Sequence, residues 1–420
     1  MVSRSLLKNG VRVLSEAMPQ MVSSTIGIWV ENGSRYETPA ESGVSHFIEH
    51  LLFKGTRQRT AAQIAEEMDA VGGVLNAFTG KEYTCYYAKV LGEDLPMAVD
   101  LLADIFLESI FDSEEINRER QVVLQEISQA EDTPDDFIHD LFTLKFWEGH
   151  PLSLPIFGSV ESVHKIHSGL LRSFMAERYR AHRVFIAAAG QVDHEQLVRD
   201  CERLFGSIPG DGMTEKIAPP ANHRFVIQHE KKLEQAHICI GGPGLSQAAG
   251  LRYASYVLNT ALGGGMSSRL FQEVREKRGR VYSIYSFMSS HADCGYFGIY
   301  AGTNPEWVDE VLEVTMREIR KLAREGLTPA ELERSKSQLK GNMLLGLEGT
   351  ESRMNRLARN EIYFRREIPV AELAAGIDAV TNDQIVELAT AWFQPERMAM
   401  ILLGDLKGNK LDQAVFSALA

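Results

Sequence analysis

The segment that most constrains the fold is residues 43–56, with the sequence GVSHFIEHLLFKGT. Three polar residues, His46, Glu49 and His50, recur at positions i, i+3 and i+4, so in a helix they share one face. The apolar residues at the other positions predict a buried helix, and they are Phe47, Ile48, Leu51 and Leu52. A buried polar triad is costly unless its members are paired or bind a metal ion. The fold must therefore bring partners to this face.

The order of the triad is typical of one kind of metal site. His-x-x-Glu-His is the reverse of the commoner His-Glu-x-x-His zinc motif. Two imidazoles at i and i+4 can bind one zinc ion, and the carboxylate between them can serve as a base. A helix whose two histidines are merely hydrogen-bonded would have the same five residues. A third ligand is needed to decide between these two interpretations.

A candidate third ligand lies in the stretch of residues 111–127, which contains the start of a second predicted helix. Ser113 is suited to cap its start, and the pattern ends before Pro134. Glu119 and Glu126 are seven residues apart and therefore lie on one face of this helix. The apolar residues that flank Glu126 predict that much of the helix is buried, and they are Val122, Val123, Leu124 and Ile127. A buried glutamate usually has a partner, and a zinc ion is one candidate.

On these residues the chain resembles a known family, the M16 zinc peptidases of the pitrilysin, insulin-degrading enzyme and mitochondrial processing peptidase group. Its signature is His-x-x-Glu-His followed by a glutamate 76 residues after the second histidine, which is Glu126 here. The resemblance implies that His46, His50 and Glu126 bind zinc and that Glu49 is the base. It also implies that Glu119 orients a ligand, whereas a solvated helix carboxylate is the alternative. The chain is most similar to the short, processing-peptidase-like members of bacteria.

The resemblance extends to a predicted strand after the Gly72-Gly73 turn. Residues 72–79 resemble the strand of the family that contacts substrate, which makes Asn76, Ala77 and Phe78 candidate substrate-binding residues. If this is an edge strand, an extended peptide can add to it by backbone hydrogen bonds. Asn76 has an alternative role, because asparagine often bonds to its local backbone.

Two further segments, residues 263–271 and 274–282, resemble the signature of the family's second half. The resemblance implies that Arg275 and Tyr282 reach the zinc site. Tyr282 would donate to the oxyanion of the reaction, and Arg275 would hold substrate backbone or assist the same charge. Without the resemblance, both would be ordinary residues of a helix and a strand.

The length of 420 residues predicts two or more domains. Residues 206–222 are rich in glycine and proline and make the best linker. We predict a catalytic zinc-binding domain over residues 1–210, a linker over 211–222, and a homologous domain without metal ligands over 223–420. Each is expected to be α+β, a mainly antiparallel sheet covered by helices. The resemblance implies a clamshell of two such halves around a cavity, the fold of LuxS/MPP-like metallohydrolases.

The net charge of −13 argues against nucleic acid and anionic membranes as partners and is compatible with basic peptides. No apolar run is long enough to span a membrane, and the N-terminus lacks the apolar core of a secretory signal. We therefore expect a cytoplasmic protein. The four cysteines are widely separated, which favours reduced thiols.

The sequence therefore predicts a zinc-dependent endopeptidase with one zinc ion per chain, acting on peptides or unfolded segments in an enclosed cavity. A homodimer is compatible with this prediction. One alternative is a non-catalytic or partner-dependent subunit of a heteromeric processing-peptidase-like complex. Another is a peptide-binding module with a structural zinc ion, against which Glu49 argues, because a closed structural site needs no base.

Overall fold

The computed structural model describes residues 2–210, 212, 217–406 and 415–417. It divides into two compact units, and neither is one continuous stretch of chain. The first unit contains Met1–Gln129, Leu154–Ala218 and Gly346–Glu367, and the second contains Ala130–Ser153, Pro219–Leu345 and Ile368–Ala420. Each unit is built on one sheet.

The described strands, in chain order, are β1 (Val2–Leu6), β2 (Arg12–Ala17), β3 (Ser23–Val30), β4 (Val74–Thr79), β5 (Thr84–Leu91), β6 (Val184–Gly190), β7 (Val226–Glu230), β8 (Ala236–Pro243), β9 (Val281–Ser290), β10 (Gly295–Thr303) and β11 (Ala399–Gly404). The described α-helices are α1 (Val44–Leu52), α2 (Ala61–Ala70), α3 (Leu95–Glu108), α4 (Ser113–Glu131), α5 (Pro134–Phe146), α6 (Val160–Lys165), α7 (Ser168–Arg178), α8 (His194–Phe205), α9 (Arg252–Gly263), α10 (Val308–Glu325), α11 (Pro329–Gly346), α12 (Thr350–Phe364), α13 (Val370–Asp378) and α14 (Asn382–Trp392).

The sheet of the first unit has six strands in the order β1-β2-β6-β3-β5-β4. Its pairs are antiparallel except for β2 with β6, which are parallel. The central strands β3 and β6 are almost wholly buried, because helices cover both faces of the sheet. On one face α1, α3, α7 and α8 contribute to the largest apolar core of this unit. Strand β4 is left at the edge of the sheet.

The sheet of the second unit has five strands in the order β7-β11-β8-β10-β9. It repeats the first arrangement, because β7 and β11 are parallel whereas the other pairs are antiparallel. Helix α9 lies against β9 and joins α10 and α14 in the core of this unit. The predicted repeat of one α+β plan is therefore confirmed, with mainly antiparallel sheets covered by helices.

Two helices are exchanged between the halves of the chain. Each lies in one half of the sequence but packs in the core of the unit formed mainly by the other half. Helix α5 lies between two elements of the first half, yet its Ile138, Phe142 and Phe146 pack on the second sheet. In turn, α12 packs Met354 and Leu357 on the first sheet. The sequence did not predict this exchange, because apolar periodicity indicates that a helix face is buried but not which sheet buries it.

Local predictions have different outcomes. The pattern Thr60-x-x-Gln63 predicts a capping box at the start of a helix, and this capping box is present at the start of α2. The predicted capping role of Ser113 is wrong, because the carboxylate of Asp112 accepts the N–H groups of the two residues after Ser113. The predicted linker, residues 211–222, lies partly outside the described residues, and the domain boundaries at 210 and 223 stay a prediction. Among the described helices, none combines the length and the apolar character needed to cross a bilayer.

Candidate metal centre

Helix α1 carries the two histidines of the motif on the face that its apolar residues leave free. Phe47, Ile48 and Leu52 are fully buried in the first unit's core, and this packing fixes the rotation of the helix. His46 and His50 consequently project together, with ring centroids 4.6 Å apart. The predicted sharing of one helix face is confirmed.

Helix α4 brings a carboxylate to the two imidazoles. The Oε2 atom of Glu126 lies 3.7 Å from His46 Nε2 and 3.6 Å from His50 Nε2. One ligand atom from each of the three residues lies within 4.8 Å of the others. Among the described residues this is the one cluster of three or more His, Cys, Asp or Glu side chains close enough to hold a metal ion.

The donor set fits a zinc ion. Two nitrogens and one oxygen are the ligands that catalytic zinc sites commonly use, with one position left open. Ligand atoms about 2 Å from a tetrahedral zinc ion lie roughly 3.4 Å apart, near the separations between Glu126 and the two rings. Burial, together with the neighbouring His50, lowers the pKa of His46 to about 3, which keeps its ring neutral. Neutral imidazole is the form that binds metal.

Glu119 is buried, so the solvated alternative for this residue is excluded. It lies in α4, and its side chain is 7% exposed. One oxygen is 3.1 Å from His50 Nδ1, and the other is 2.7 Å from Lys54 Nζ. A carboxylate bound to the far nitrogen of a metal-binding histidine fixes the orientation of the ring. The sequence prediction missed Lys54, which lies in the turn just after α1 ends at Leu52.

Glu49 lies in α1 with the two histidines but is not part of the ligand cluster. Thr79 Oγ1, at the end of β4, donates a 2.5 Å hydrogen bond to Glu49 Oε2. Burial raises the pKa of Glu49, while the bond from Thr79 opposes that rise. The carboxylate is therefore held beside the cluster by a neutral donor. No pattern in the sequence indicates this role of Thr79.

The predicted substrate strand is β4, and it lies at the sheet edge next to α1. The side chain of Ala77 packs with the core that includes α1, whereas Phe78 packs against Trp29 from the other face. Asn76 Oδ1 accepts the N–H of Ala77 at 2.8 Å, which is the local backbone role expected as the alternative. The contribution of these residues to a peptide would therefore come from the main chain.

Arg275 and Tyr282 belong to the second unit. Arg275 lies in a π-helical segment, Phe271–Glu276, and Tyr282 lies in edge strand β9. The guanidinium carbon of Arg275 is 4.8 Å from the centroid of the Phe271 ring and 5.6 Å from that of Tyr282. Tyr282 is 77% exposed, so its hydroxyl is available to a ligand. π-Helical turns are frequent at functional sites.

Family models match most of the chain. Residues 12–160 match the insulinase model, peptidase family M16, and residues 165–339 match the model described as the peptidase M16 inactive domain. The first range contains all three candidate ligands. The second contains Arg275 and Tyr282 but, within the described residues, no metal cluster.

Relatives and solved structures cover nearly the whole chain. A protein named as an uncharacterized zinc protease in Streptomyces coelicolor is 43% identical over 97% of this chain and 91% of its own length. A protein of the same description in Bacillus subtilis is 42% identical over 94% of this chain and 96% of its own length.

Solved structures share the fold at lower identity. A peptidase M16 inactive domain structure from Pseudomonas fluorescens has a TM-score of 0.91 at 20% identity, over 98% of this chain and all of that one. A chain of complex III2 from Candida albicans has a TM-score of 0.88 at 20% identity, covering 100% of this chain and 99% of that one. The family models and the relatives, together with the motif, show that the chain belongs to the M16 family of zinc peptidases.

Proposed function

We propose that this protein is a zinc-dependent endopeptidase that cuts peptides or unfolded segments in an enclosed cavity, with one zinc ion per chain. The observation that carries the proposal is the meeting of His46, His50 and Glu126 from two helices, with Glu49 beside them and outside the ligand cluster. A structural zinc site uses all its positions for protein ligands and needs no base. Three ligands and a separate carboxylate favour catalysis.

The residues have distinct roles in the proposed reaction. A zinc ion held by the three ligands would supply a Lewis acid for the peptide carbonyl and would lower the pKa of a water molecule. Glu49 accepts the proton of the attacking water and passes it to the leaving amine. Glu119 keeps the ring of His50 in place through its Nδ1 atom.

The substrate is proposed to bind along β4. This strand is hydrogen-bonded to β5 on one side and ends the sheet, so its other edge can pair with an extended peptide. Backbone groups on the free edge of the segment that contains Asn76, Ala77 and Phe78 would make these bonds. Recognition through the main chain favours unfolded segments of varied sequence, and the net charge of −13 favours basic ones.

Arg275 and Tyr282 are proposed to assist the reaction, as the family resemblance implies. The exposed hydroxyl of Tyr282 is a suitable donor to a developing oxyanion. Arg275, whose guanidinium group lies over the rings of Phe271 and Tyr282, offers a cation for the same charge or for substrate backbone. A homodimer and a cytoplasmic location belong to the same proposal.

The alternative is a non-catalytic or partner-dependent subunit. The same fold occurs in a chain of complex III2 from Candida albicans, so the fold alone does not distinguish the two functions. The complete set of metal ligands and Glu49 favour the enzyme, because a subunit without catalysis has no need of a base next to its metal.

Cleavage of a basic, unstructured peptide tests the proposal. Wild type should bind about one zinc ion per chain and cut the peptide, whereas Glu49→Gln should keep the zinc and lose activity by about 10²- to 10⁴-fold, the usual contribution of a general base. Equal rates for the two proteins would contradict the role of Glu49. Zinc-loaded wild type that cuts no peptide alone would favour the partner-dependent subunit.

A further inference from the structure

The start of α1 has no cap of its own. Its N-cap residue is Gly43, with φ of +92°, a backbone conformation that favours glycine. A Cβ atom at this position would lie 2.7 Å from the carbonyl oxygen of Phe157, so no capping side chain fits there. The N–H groups of the first turn therefore need acceptors from elsewhere.

A buried carboxylate six residues upstream accepts two of these N–H groups. Glu37 Oε2 accepts the N–H of Gly43 at 2.8 Å, and Oε1 accepts the N–H of Ser45 at 2.7 Å. Glu37 is only 2% exposed. A carboxylate at a helix N-terminus also interacts favourably with the helix dipole. Glu37 thus acts as the cap that Gly43 cannot provide.

The segment that carries Glu37 is itself fixed to the β4–β5 turn. The N–H of Ser34 donates to Gly80 O at 3.2 Å, and the N–H of Arg35 donates to Lys81 O at 2.7 Å. Arg35 also forms a buried ion pair with Glu82, with a separation of 2.7 Å. Glu37 therefore connects the segment bound to the β4–β5 hairpin with the first turn of α1.

We propose that Glu37 is a positioning residue for the metal centre. Ser45, whose N–H it binds, directly precedes the candidate ligand His46, so loss of the bond would release the turn that carries this ligand. Helix α1 has only nine residues, and its fraying at the start would displace a large part of it. The inference deepens the proposed metal site and depends on it.

The test measures zinc binding in competition with a chelator, together with the visible spectrum of the cobalt-substituted protein. Glu37→Ala removes both acceptors, and Glu37→Gln keeps one oxygen acceptor and retains the side-chain size. The matched control is Glu361→Gln, because Glu361 is also 2% exposed and lies in the same unit, where it is bound by Arg4 at 2.8 Å and Arg12 at 2.9 Å. The control reports the effect of losing a buried carboxylate that does not touch α1.

We expect Glu37→Ala to weaken zinc binding by about 10-fold or more, within the range known for residues that orient metal ligands. Glu37→Gln should lie between it and wild type, and both should alter the cobalt spectrum. Glu361→Gln should bind zinc within about twofold of wild type. Wild-type affinity and spectrum in both Glu37 variants, or an equal loss in the control, would overturn the proposal. Because binding is read without catalysis, zinc-loaded wild type that cuts no peptide would count against the peptidase and not against Glu37.

Discussion

Thr79 Oγ1 donates a 2.5 Å hydrogen bond to Glu49 Oε2 and so joins the last residue of edge strand β4 to the helix of the metal centre. The proposed peptide-binding strand and the proposed base are therefore in direct contact. A peptide that pairs with β4 would be placed at a defined distance from the Glu49 carboxylate. This contact explains how recognition through the backbone alone could set the position of the bond to be cut.

The Thr79 hydroxyl can be removed at nearly constant size. Thr79→Val should lower kcat about 10-fold, because the Glu49 carboxylate loses the donor that orients it. Thr79→Ser keeps the donor and should restore most of the activity. Steady-state kinetics with a fluorogenic basic peptide, at equal zinc content, measures both. Full activity in the valine variant would mean that packing alone orients Glu49.

Lys54 should support the metal centre through Glu119. Lys54→Met keeps much of the apolar stem but removes the ammonium group 2.7 Å from the Glu119 carboxylate. We expect about 10-fold weaker zinc binding, because Glu119 then holds His50 less firmly. Chelator competition measures the dissociation constant. Lys340→Met is a suitable control, since Lys340 pairs with Asp378 in the second unit and should leave zinc binding unchanged.

Stability should depend on pH through Glu37. Burial raises its pKa from 4.5 to about 7, although the N–H groups of Ser45 and Gly43 and the charge of Lys81 oppose the rise. The folded state thus holds the proton more tightly than the unfolded state, so this stability is complete below pH 4.5 and declines as pH rises through 7. At about 1.4 kcal/mol per pKa unit, the decline reaches about 3 kcal/mol.

Urea unfolding of the metal-free protein from pH 4.5 to 8 measures the contribution of Glu37 to the free energy of unfolding. Relative to Glu37→Gln, which does not titrate, wild type should lose unfolding free energy across the window. Parallel curves for the two proteins would contradict the raised pKa. The expected loss of unfolding free energy at neutral pH is consistent with a residue that positions the metal centre at the expense of stability.

The exchanged helix α12 should be essential to the first unit. Met354 is fully buried between α12 and the first sheet, so Met354→Ala should lower the free energy of unfolding by about 3 kcal/mol. Met354→Leu should cost under about 1.5 kcal/mol. Chemical denaturation gives both values, and a loss below about 1 kcal/mol in the alanine variant would show that α12 contributes little. For the same reason, deletion of residues 223–420 would damage the first unit, and point variants are the better test of the second.

Short-range features of this protein could be predicted from the sequence. The shared face of His46 and His50 follows from helix periodicity, and the capping box at Thr60 follows from residue types three positions apart. Strands β3 to β6 follow from apolar and β-branched runs. Glu126 was found through the family spacing, since helix geometry alone cannot relate α1 to α4.

The remaining features depend on contacts between distant segments. Nothing in the sequence around Glu37 distinguishes it from a surface glutamate, because its role arises from the way the segment before α1 folds back. The contact of Thr79 with Glu49 requires the position of β4 relative to α1. The exchange of α5 and α12 likewise depends on which sheet has an uncovered apolar face, and local periodicity carries no such information.

The most direct test of the account is a zinc titration of metal-free wild type with the rate of peptide cleavage as the readout. We predict that activity rises in proportion to added zinc and reaches its plateau at about one equivalent per chain, and that Glu126→Gln reaches little activity at that ratio. A plateau at a different ratio, cleavage that persists without metal, or unchanged behaviour of Glu126→Gln would contradict the claim that His46, His50 and Glu126 together hold the catalytic ion.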